Sequence, residues 1–428
     1  MESHAEPHVE GGGEAFEAVE NTDGHYAIFD YWRQVSRAYN ARMTFFLSGP
    51  MLLTSDTLHT YNAPQLGPAN SHMGFAFNHA ETLPGETQLQ AVRHEMENLK
   101  GAYAEGNEIG THYGGHICGS TKGNVGSFSA ADWEQEIEQF DQMIDNANRT
   151  NNLNPPVNLG FTSKDIDGSR TPCLEGNFHN LYPVLAKHGY IYDTSPIPEV
   201  RWPFRGASNT GPTNLWTFPI PVWHMYGSTH DELGMDYNIC DWHQRDCLDQ
   251  PVSEVTAAGW SQQMLDTERA AFEQSYTGDR APVFFGNHPE MWHHGAYTKA
   301  IAGIAKAVCS KPEVRCVTNR ELAEWLNNDV PAAQLDSWRK GAFPHYTDPS
   351  PPAYGTPVPN VLMPQNVVAK SAPAAKSAPA AKPTPAAKPT PAAKPMPMGK
   401  PTPPVVKPSP VAKPTAVSRP QQVSRPGQ

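Results

Sequence analysis

Three short clusters hold most of the chemistry this chain could do: Thr111-His112-Tyr113-Gly114-Gly115-His116, Ser169-Arg170-Thr171-Pro172 and Phe284-Phe285-Gly286-Asn287-His288. The first offers two imidazoles four residues apart, the second a guanidinium ahead of a rigid proline, the third an imidazole after an apolar run. Two histidines and one carboxylate, with positions left open for water, make a hydrolytic metal site. His112 and His116 are the candidate ligands. On a helix, histidines at i and i+4 share a face, but Gly114-Gly115 disfavours a helix here. A strand running into a tight glycine turn could also aim both rings at one point; ordinary loop histidines are the plainer reading. Arg170 could hold a carboxylate ionised and oriented through a two-pronged contact, where a surface arginine is the plainer reading. His288 could serve as a general acid toward a departing amine, or could simply cap its strand. No carboxylate stands beside these clusters as an obvious third ligand.

The elements that must position these groups follow from periodicity. Met43–Leu47 reads as a short strand, ended by Ser48-Gly49-Pro50. Leu89, Val92, Met96, Leu99 and Tyr103 recur at helical spacing, with Gly106 as the stop. Glu108–Thr111 is a strand entering the histidine loop, and Ser129 caps a helix whose apolar face is Trp133, Ile137, Phe140 and Ile144. Asn177–Lys187 reads as a helix and Tyr190–Tyr192 as a strand. The expected order then runs strand Pro282–Phe285, helix Tyr297–Val308, strand Val314–Val317 and helix Asn319–Asn327. Each cluster falls where a strand gives way to a loop, which is where α/β barrels place their chemistry. The alternation predicts an α/β fold with a parallel sheet, open or closed into a barrel. Two long stretches, Ser48–Gly85 and Pro196–Thr256, read as irregular loops of the kind that carry function.

Charge is unevenly spread. The net charge is -12, yet from Ala369 onward there are ten Lys or Arg and no Asp or Glu, so the remainder carries -22. That body is too acidic to favour nucleic acid or an anionic membrane. No apolar run approaches the ~18 residues that span a bilayer, and Met1–Glu14 is polar and acidic, unlike a signal peptide. Six cysteines occur as Cys118, Cys173, Cys240, Cys247, Cys309 and Cys316, including two pairs each seven apart. An even count in this pattern reads as disulfides made in an oxidising compartment. The third pair, Cys118 and Cys173, would tie the histidine loop to the arginine loop; six reduced, buried thiols are the alternative. None has C-x-x-C spacing, so a zinc–thiolate site is not expected. Lys370, Lys376, Lys382, Lys388, Lys394 and Lys400 repeat every six residues in an Ala/Pro-rich tract that cannot bury a core and favours extended polyproline II. That tail reads as a cationic tether for anionic cell-wall polymers, or as a passive spacer.

Taken together, the chain resembles the polysaccharide deacetylase superfamily (carbohydrate esterase family 4), and within it the divergent secreted bacterial members. The residues that carry the resemblance include Ala41-Arg-Met-Thr-Phe-Phe-Leu-Ser-Gly49, Glu105-Gly-Asn-Glu-Ile-Gly-Thr-His-Tyr-Gly-Gly-His-Ile-Cys-Gly119, Gly168-Ser-Arg-Thr-Pro-Cys-Leu-Glu-Gly176, Met235-Asp-Tyr-Asn238, Ala281-Pro-Val-Phe-Phe-Gly-Asn-His288 and Cys309–Thr318. It implies an incomplete (β/α) barrel that removes N-acetyl groups from N-acetylglucosamine-containing polysaccharide such as peptidoglycan or chitin. It further implies a divalent metal, usually zinc, on His112 and His116, with Arg170 orienting the base carboxylate and His288 as general acid. The expected organisation is an irregular segment over 1–28, a deacetylase-like domain over 29–345, a Pro-rich linker over 346–368 and a disordered tail over 369–428.

Family members carry a first strand that ends in aspartates, which supply the base and the third ligand. Nothing before Phe29 reads as that strand. Asp23 and Asp30 are the acids nearest to the place, and neither fits it; a chain start downstream of the true one would account for the gap and for the missing signal peptide. Asp241-Trp242 superficially matches the family's Asp/Trp motif. Asp193 could line a sugar subsite or cap a strand end. Trp216, Trp223, Trp242 and Trp292 are candidate sugar platforms or core aromatics, and Asn148-Arg-Thr150 fits a glycosylation signal. The expected setting is extracellular or cell-wall associated. Two other readings remain open: a non-catalytic glycan-binding protein of the same fold, and an unrelated metal hydrolase in which a carboxylate between His116 and Arg170 meets the two histidines.

Overall fold

Short, fully buried strands alternating with capped helices build the molecule. The computed structural model describes residues 2–9, 24–58, 85–115, 117–119, 124–195, 202–208, 211–245, 247 and 252–341. In chain order these form β1 (Glu2–Val9), α1 (Gly24–Tyr39), β2 (Thr44–Leu47), α2 (Ser55–Leu58), α3 (Gln88–Ala104), β3 (Glu108–Thr111) and α4 (Ala130–Thr150). β4 (Gly168–Ser169), α5 (Phe178–Lys187), β5 (Tyr192–Asp193), β6 (Phe204–Ser208), β7 (Gly211–Thr217), β8 (Val222–His224) and β9 (Asp231–Leu233) follow. The last elements are α6 (Asp236–His243), α7 (Glu254–Thr277), β10 (Val283–Asn287), α8 (Trp292–Val308), β11 (Arg315–Cys316), α9 (Asn319–Asn328) and α10 (Ala332–Trp338).

The main sheet runs β10-β1-β2-β3-β4-β5-β7-β6, with β11 also on β1. Every pairing in it is parallel except β6 with β7. Among the described residues β6 and β10 do not pair, so the sheet stays open at those two edges. Both faces are covered, which is why β2 reads Thr-Phe-Phe-Leu without a polar break. Phe45 packs on Phe29 of α1, with ring centres 4.2 Å apart. Its neighbour Phe46 points the other way, toward Tyr192, as the two-residue period of a strand requires. Tyr192, Phe218 and Phe284 stack in sequence at 5.1 and 5.5 Å, so that face of the sheet is lined with aromatic rings. Local signals set the helix starts: Thr87 with Gln90, Ser129 with Asp132 and Thr318 with Glu321 each form a capping box.

Four departures from the sequence expectations stand out. Glu2–Val9 lies in the segment expected to be irregular, yet it is a strand lodged between β10 and β2, with His8 opposite Phe46 and Val9 opposite Leu47. A slot between two parallel neighbours offers backbone partners to whatever chain fills it, with no need of an apolar run. Pro196–Thr256, expected to be irregular, contains β6 to β9 and α6. The 24-residue α7 has no clean apolar period, because its buried positions mix Met264, Leu265 and Phe272 with Thr267, Glu268 and Ser275. α8 begins with His293, His294 and Gly295 in left-handed conformation, so its right-handed course starts at Ala296. The linker and tail expected over 346–368 and 369–428 lie outside the described residues.

At the N-terminal ends of the strands a buried carboxyl joins several elements. Glu108 accepts from Thr44 Oγ1 at 2.8 Å, Tyr192 OH at 2.7 Å and the Arg320 amide at 2.8 Å, tying β2, β3, β5 and the first turn of α9. Burial pushes its pKa from 4.5 to about 7, although nearby Arg320 pulls the other way. A carboxyl whose folded pKa is raised contributes stability that is present below its unfolded pKa and is lost as pH rises through the folded value. The wild-type protein should therefore lose stability as pH rises from about 4.5 to about 7, with Glu108 contributing on the order of 3 kcal/mol. Glu108→Gln should flatten that slope, measured as urea midpoints across the range; an unchanged slope would assign the effect to other groups.

Candidate functional site

The register of three parallel strands sets the site. Thr111 lies opposite Ser169, and Ser169 opposite Asp193. The residues that follow remain in step: His112 N donates to Leu47 O at 2.8 Å, Arg170 N to Thr111 O at 3.0 Å and Thr194 N to Ser169 O at 2.9 Å. His112 is fully buried, and its Nδ1 lies 2.8 Å from the carbonyl of Arg170. A carbonyl can only accept, so Nδ1 carries a proton, and Nε2 is the nitrogen that a neutral ring would present to a metal. The next residue, Tyr113, sits at φ +67°. Its N–H is taken by Thr111 Oγ1 at 2.9 Å, and its carbonyl accepts from Gly49 N at 3.0 Å. Beyond it, the amides of Gly114 and Gly115 donate to Glu136 Oε2 at 3.1 and 3.0 Å. Burial pushes Glu136 up to about 7 despite those two bonds. His116 lies outside the described residues.

Arg170 is buried, lies 4.7 Å over the Phe46 ring and donates Nε–H to Thr194 Oγ1 at 2.7 Å. Burial lowers its pKa to about 9, so it remains a cation at neutrality, helped by Tyr192 and Asp193. Asp193 accepts from Ser169 Oγ and Ser195 Oγ at 2.8 Å each, and from Ser195 N at 3.2 Å. Burial outweighs these bonds and raises it to about 6. Asp193 is thus a buried strand-end anchor, with no surface on which to line a sugar subsite.

His288 follows β10, and a buried aspartate stands behind it. Asp236 Oδ1 lies 2.6 Å from His288 Nδ1, and Oδ2 accepts from His288 N at 2.8 Å. Met235 bridges to Gly286, which sets the start of α6 beside the end of β10. The acid behind His288 is therefore Asp236, five residues before the Asp241-Trp242 pair. Its sequence signal was the short Met235-Asp-Tyr-Asn238 run at a helix start. Trp292 and Tyr237 flank the His288 ring, at 5.5 and 6.1 Å between centres. Of the four candidate platforms, Trp292 is the one beside His288. Trp223 is buried against Phe285 at 5.6 Å, Trp216 lies under Arg205 at 3.6 Å, and Trp242 stacks on His230 at 5.1 Å. Large rings at the end of a sheet are drawn into the core before they are left for a ligand.

The three cysteine pairs form as expected: Cys118–Cys173, Cys240–Cys247 and Cys309–Cys316. The first ties the histidine loop to the arginine loop, and Glu175 accepts from Gly119 N beside it. Asp23 lies outside the described residues. Asp30 accepts from Gln34 at 3.0 Å and lies 3.6 Å from Arg33, both on its own helix α1. Among the described residues no three His, Cys, Asp or Glu side chains are grouped as a metal set. Glu136 does lie between His116 and Arg170 in sequence, but its carboxylate meets the loop's backbone amides. The signal for it was an acid on the apolar face of α4, next to Trp133 and Ile137. Asn148 both donates to and accepts from the Val157 backbone at 2.7 Å, so the glycosylation signal is occupied in the folded chain.

No protein-family model matches the sequence, and no curated protein matches it. Among solved structures, one designated a polysaccharide deacetylase from Mycobacterium smegmatis is 13% identical, with 76% of this chain and 90% of that one covered, at a TM-score of 0.41. Another so designated, from Pseudomonas aeruginosa PAO1, is 13% identical, covering 77% and 91%, at a TM-score of 0.44. A mutant CE4 family pseudoenzyme with restored enzymatic activity is 10% identical, covering 75% and 66%, at 0.33. Polysaccharide deacetylases are among its structural neighbours. At these scores the likeness carries no argument, and the functional reading rests on the motifs and their placement. No helix among the described residues is long and apolar enough to cross a membrane.

The loop clamp can be tested. Cys118 and Cys173 close a loop of 55 residues in sequence separation, with Cα atoms 5.7 Å apart. The double variant Cys118→Ser/Cys173→Ser should lose about 2–4 kcal/mol of stability in chemical unfolding. Thiol titration of the denatured, unreduced wild type should find no thiol; six would overturn all three bridges.

Proposed function

We propose that the chain is a secreted, metal-dependent deacetylase that hydrolyses the N-acetyl groups of N-acetylglucosamine-containing polysaccharide, of the peptidoglycan or chitin kind. The observation that carries the reading is the placement, at the C-terminal edge of one parallel sheet, of His112 with Nδ1 on Arg170 O and of His288 backed by Asp236. The order of the three motifs along the chain supports it, and three disulfides support an extracellular or cell-wall setting.

The tautomer of His112 suits a divalent ion such as zinc, held through Nε2 together with His116. The chemistry such an ion supplies when bound is polarisation of the amide carbonyl and positive charge for the developing oxyanion. The chain's described groups supply a cation and a general acid, while the resemblance expects the base that takes the water's proton at the end of the first strand. Arg170, fixed by Thr194 and Phe46, contributes a buried cation that orients a base carboxylate. Asp236 holds His288 Nδ1–H, so the proton on Nε2 is the one aimed at the departing sugar amine. Trp292 and Tyr237 offer ring faces to the sugar beside that proton. The Lys-repeat tail gives a cationic tether toward anionic cell-wall polymers.

A second reading has one observation in its favour. The strand β1 (Glu-Ser-His-Ala-Glu-Pro-His-Val) contains no aspartate, where the resemblance expects the base and the third ligand. On that reading the protein binds glycan on the same fold without cleaving it.

The deciding experiment is acetate release from N-acetylglucosamine oligomers and from peptidoglycan, with zinc and with a chelator. Release that the chelator abolishes is expected. Asp236→Asn and His288→Ala should each lower it by about 10²-fold or more while the folded spectrum is kept. Zinc-loaded, folded protein that binds the oligomers without releasing acetate would favour the second reading.

A further inference from the structure

The helix α6 carries Asp236 at its first residue and His243 at its last, with the buried Ile239 and Cys240 between them. Spacings of three, four and seven residues put all four on one helix face. So short a helix does not keep its place without tertiary partners. At its first end the partner is β10. Met235 bridges Gly286, Asp236 Oδ1 lies 2.6 Å from His288 Nδ1, and Oδ2 accepts from His288 N at 2.8 Å.

At its last residue the partners are α7 and α8. The His243 ring stacks on Trp260, with centres 4.9 Å apart and planes 5° from parallel, and lies 5.8 Å from the Tyr297 ring. Gln263 fixes its protons. The Gln263 Nε2 donates to Tyr226 O at 2.9 Å, so its Oε1 faces His243 Nε2, also at 2.9 Å, and Nε2 is the donor there. The titratable groups that face the ring are Tyr297 and His293, both on α8, while α7 presents the uncharged Trp260 and Gln263. Burial holds the His243 pKa below the usual 6.5, against the pull of the Gln263 bond, so at neutral pH the ring is neutral and Nδ1 keeps its lone pair. Burial and the charge of Asp236 push Tyr297 up, so its hydroxyl keeps its proton. Tyr297 OH therefore donates to His243 Nδ1 at 3.0 Å. One nitrogen is fastened to α7 and the other to α8.

We propose that His243 is a positioning residue for the general acid: by fastening the far end of α6 to α7 and α8, it holds Asp236 where both carboxylate oxygens meet His288. The proposal rests on reading His288 as the general acid. It differs from a purely structural role, which would loosen β10 as a whole and leave the Asp236–His288 contact no more affected than its surroundings. Alanine at 243 removes the stack and both bonds. Phenylalanine at 297 keeps the ring and removes only the bond to Nδ1.

The test is amide hydrogen exchange on the full chain, read at the His288 N–H that Asp236 Oδ2 accepts. In His243→Ala that amide should exchange about 10-fold faster or more relative to the rest of β10, the effect of loosening one such bond. Exchange unchanged at His288, or raised evenly along β10, would overturn the proposal. Should His243→Ala not fold, Tyr297→Phe decides: faster exchange at His288 above the rest of β10 supports the fastening, and unchanged or evenly raised exchange overturns it. Where the wild type releases acetate, His243→Ala should lower kcat about 10-fold and keep KM within about twofold. The double variant Asp236→Asn/His243→Ala should then be no slower than Asp236→Asn alone, and fully additive losses would overturn the proposal. A wild type that releases no acetate defeats the general-acid reading on its own account, and the exchange at His288 still decides whether His243 holds Asp236 in place.

Discussion

The bond from His112 Nδ1 to the carbonyl of Arg170 depends on one constraint, the register of β3 against β4. With Thr111 opposite Ser169, the next residue on each strand emerges at the same edge, where an imidazole can reach its neighbour's backbone. A slip of one residue would exchange the two faces of the strand and turn His112 away. The parallel order extends that logic across the sheet. β10 and β1 bring His288 to the same edge, and β5 supplies Thr194 to hold Arg170. The aromatic fill of Phe46, Tyr192, Phe218 and Phe284 makes the register expensive to change, because each ring is fitted to the one beside it.

Buried acids are spent in a consistent way. Glu108 at one end of the strands, and Asp193, Asp236 and Glu136 toward the other, each accept donors from backbone or hydroxyl groups of a different segment, Ser169 Oγ in the case of Asp193. Such groups are costly when unpaired and rigidifying when paired. They therefore act as joints between segments that packing alone would leave free to slide. Asp236 joins α6 to the end of β10, and Glu136 joins α4 to the histidine turn. Of these acids, burial pushes Glu108, Glu136 and Asp193 up toward neutral pH. Shape and protonation are thus linked around the candidate site.

Much of this was legible without coordinates. The Glu108–Thr111 strand, the Ser129 cap and the amphipathic face through Trp133 and Phe140 are local signals, and they hold within a residue or two. The three cysteine pairings also follow from spacing and from their neighbours. The helix α7 did not show itself, since its buried positions include Thr267, Glu268 and Ser275 and the apolar stripe is broken. Nor did β1, whose place is supplied by partners on both sides. The residue types of Trp223 and Asp193 permit substrate contact, but both are buried, and burial depends on residues far away in the chain.

The sequence by itself determined which side chains could do chemistry and that strand ends would carry them, because capping, periodicity and motif spacing are properties of neighbours in the chain. It also determined a lysine that recurs every six residues in an Ala/Pro-rich tract. Only the tertiary structure decided which groups act as pairs: His112 with Arg170 O, His288 with Asp236, and the Gly114–Gly115 amides with Glu136. Those partners lie 58, 52 and 21 residues apart along the chain. A hydrogen bond acts over about 3 Å, so such partnerships exist only once strand order and register have brought distant segments together.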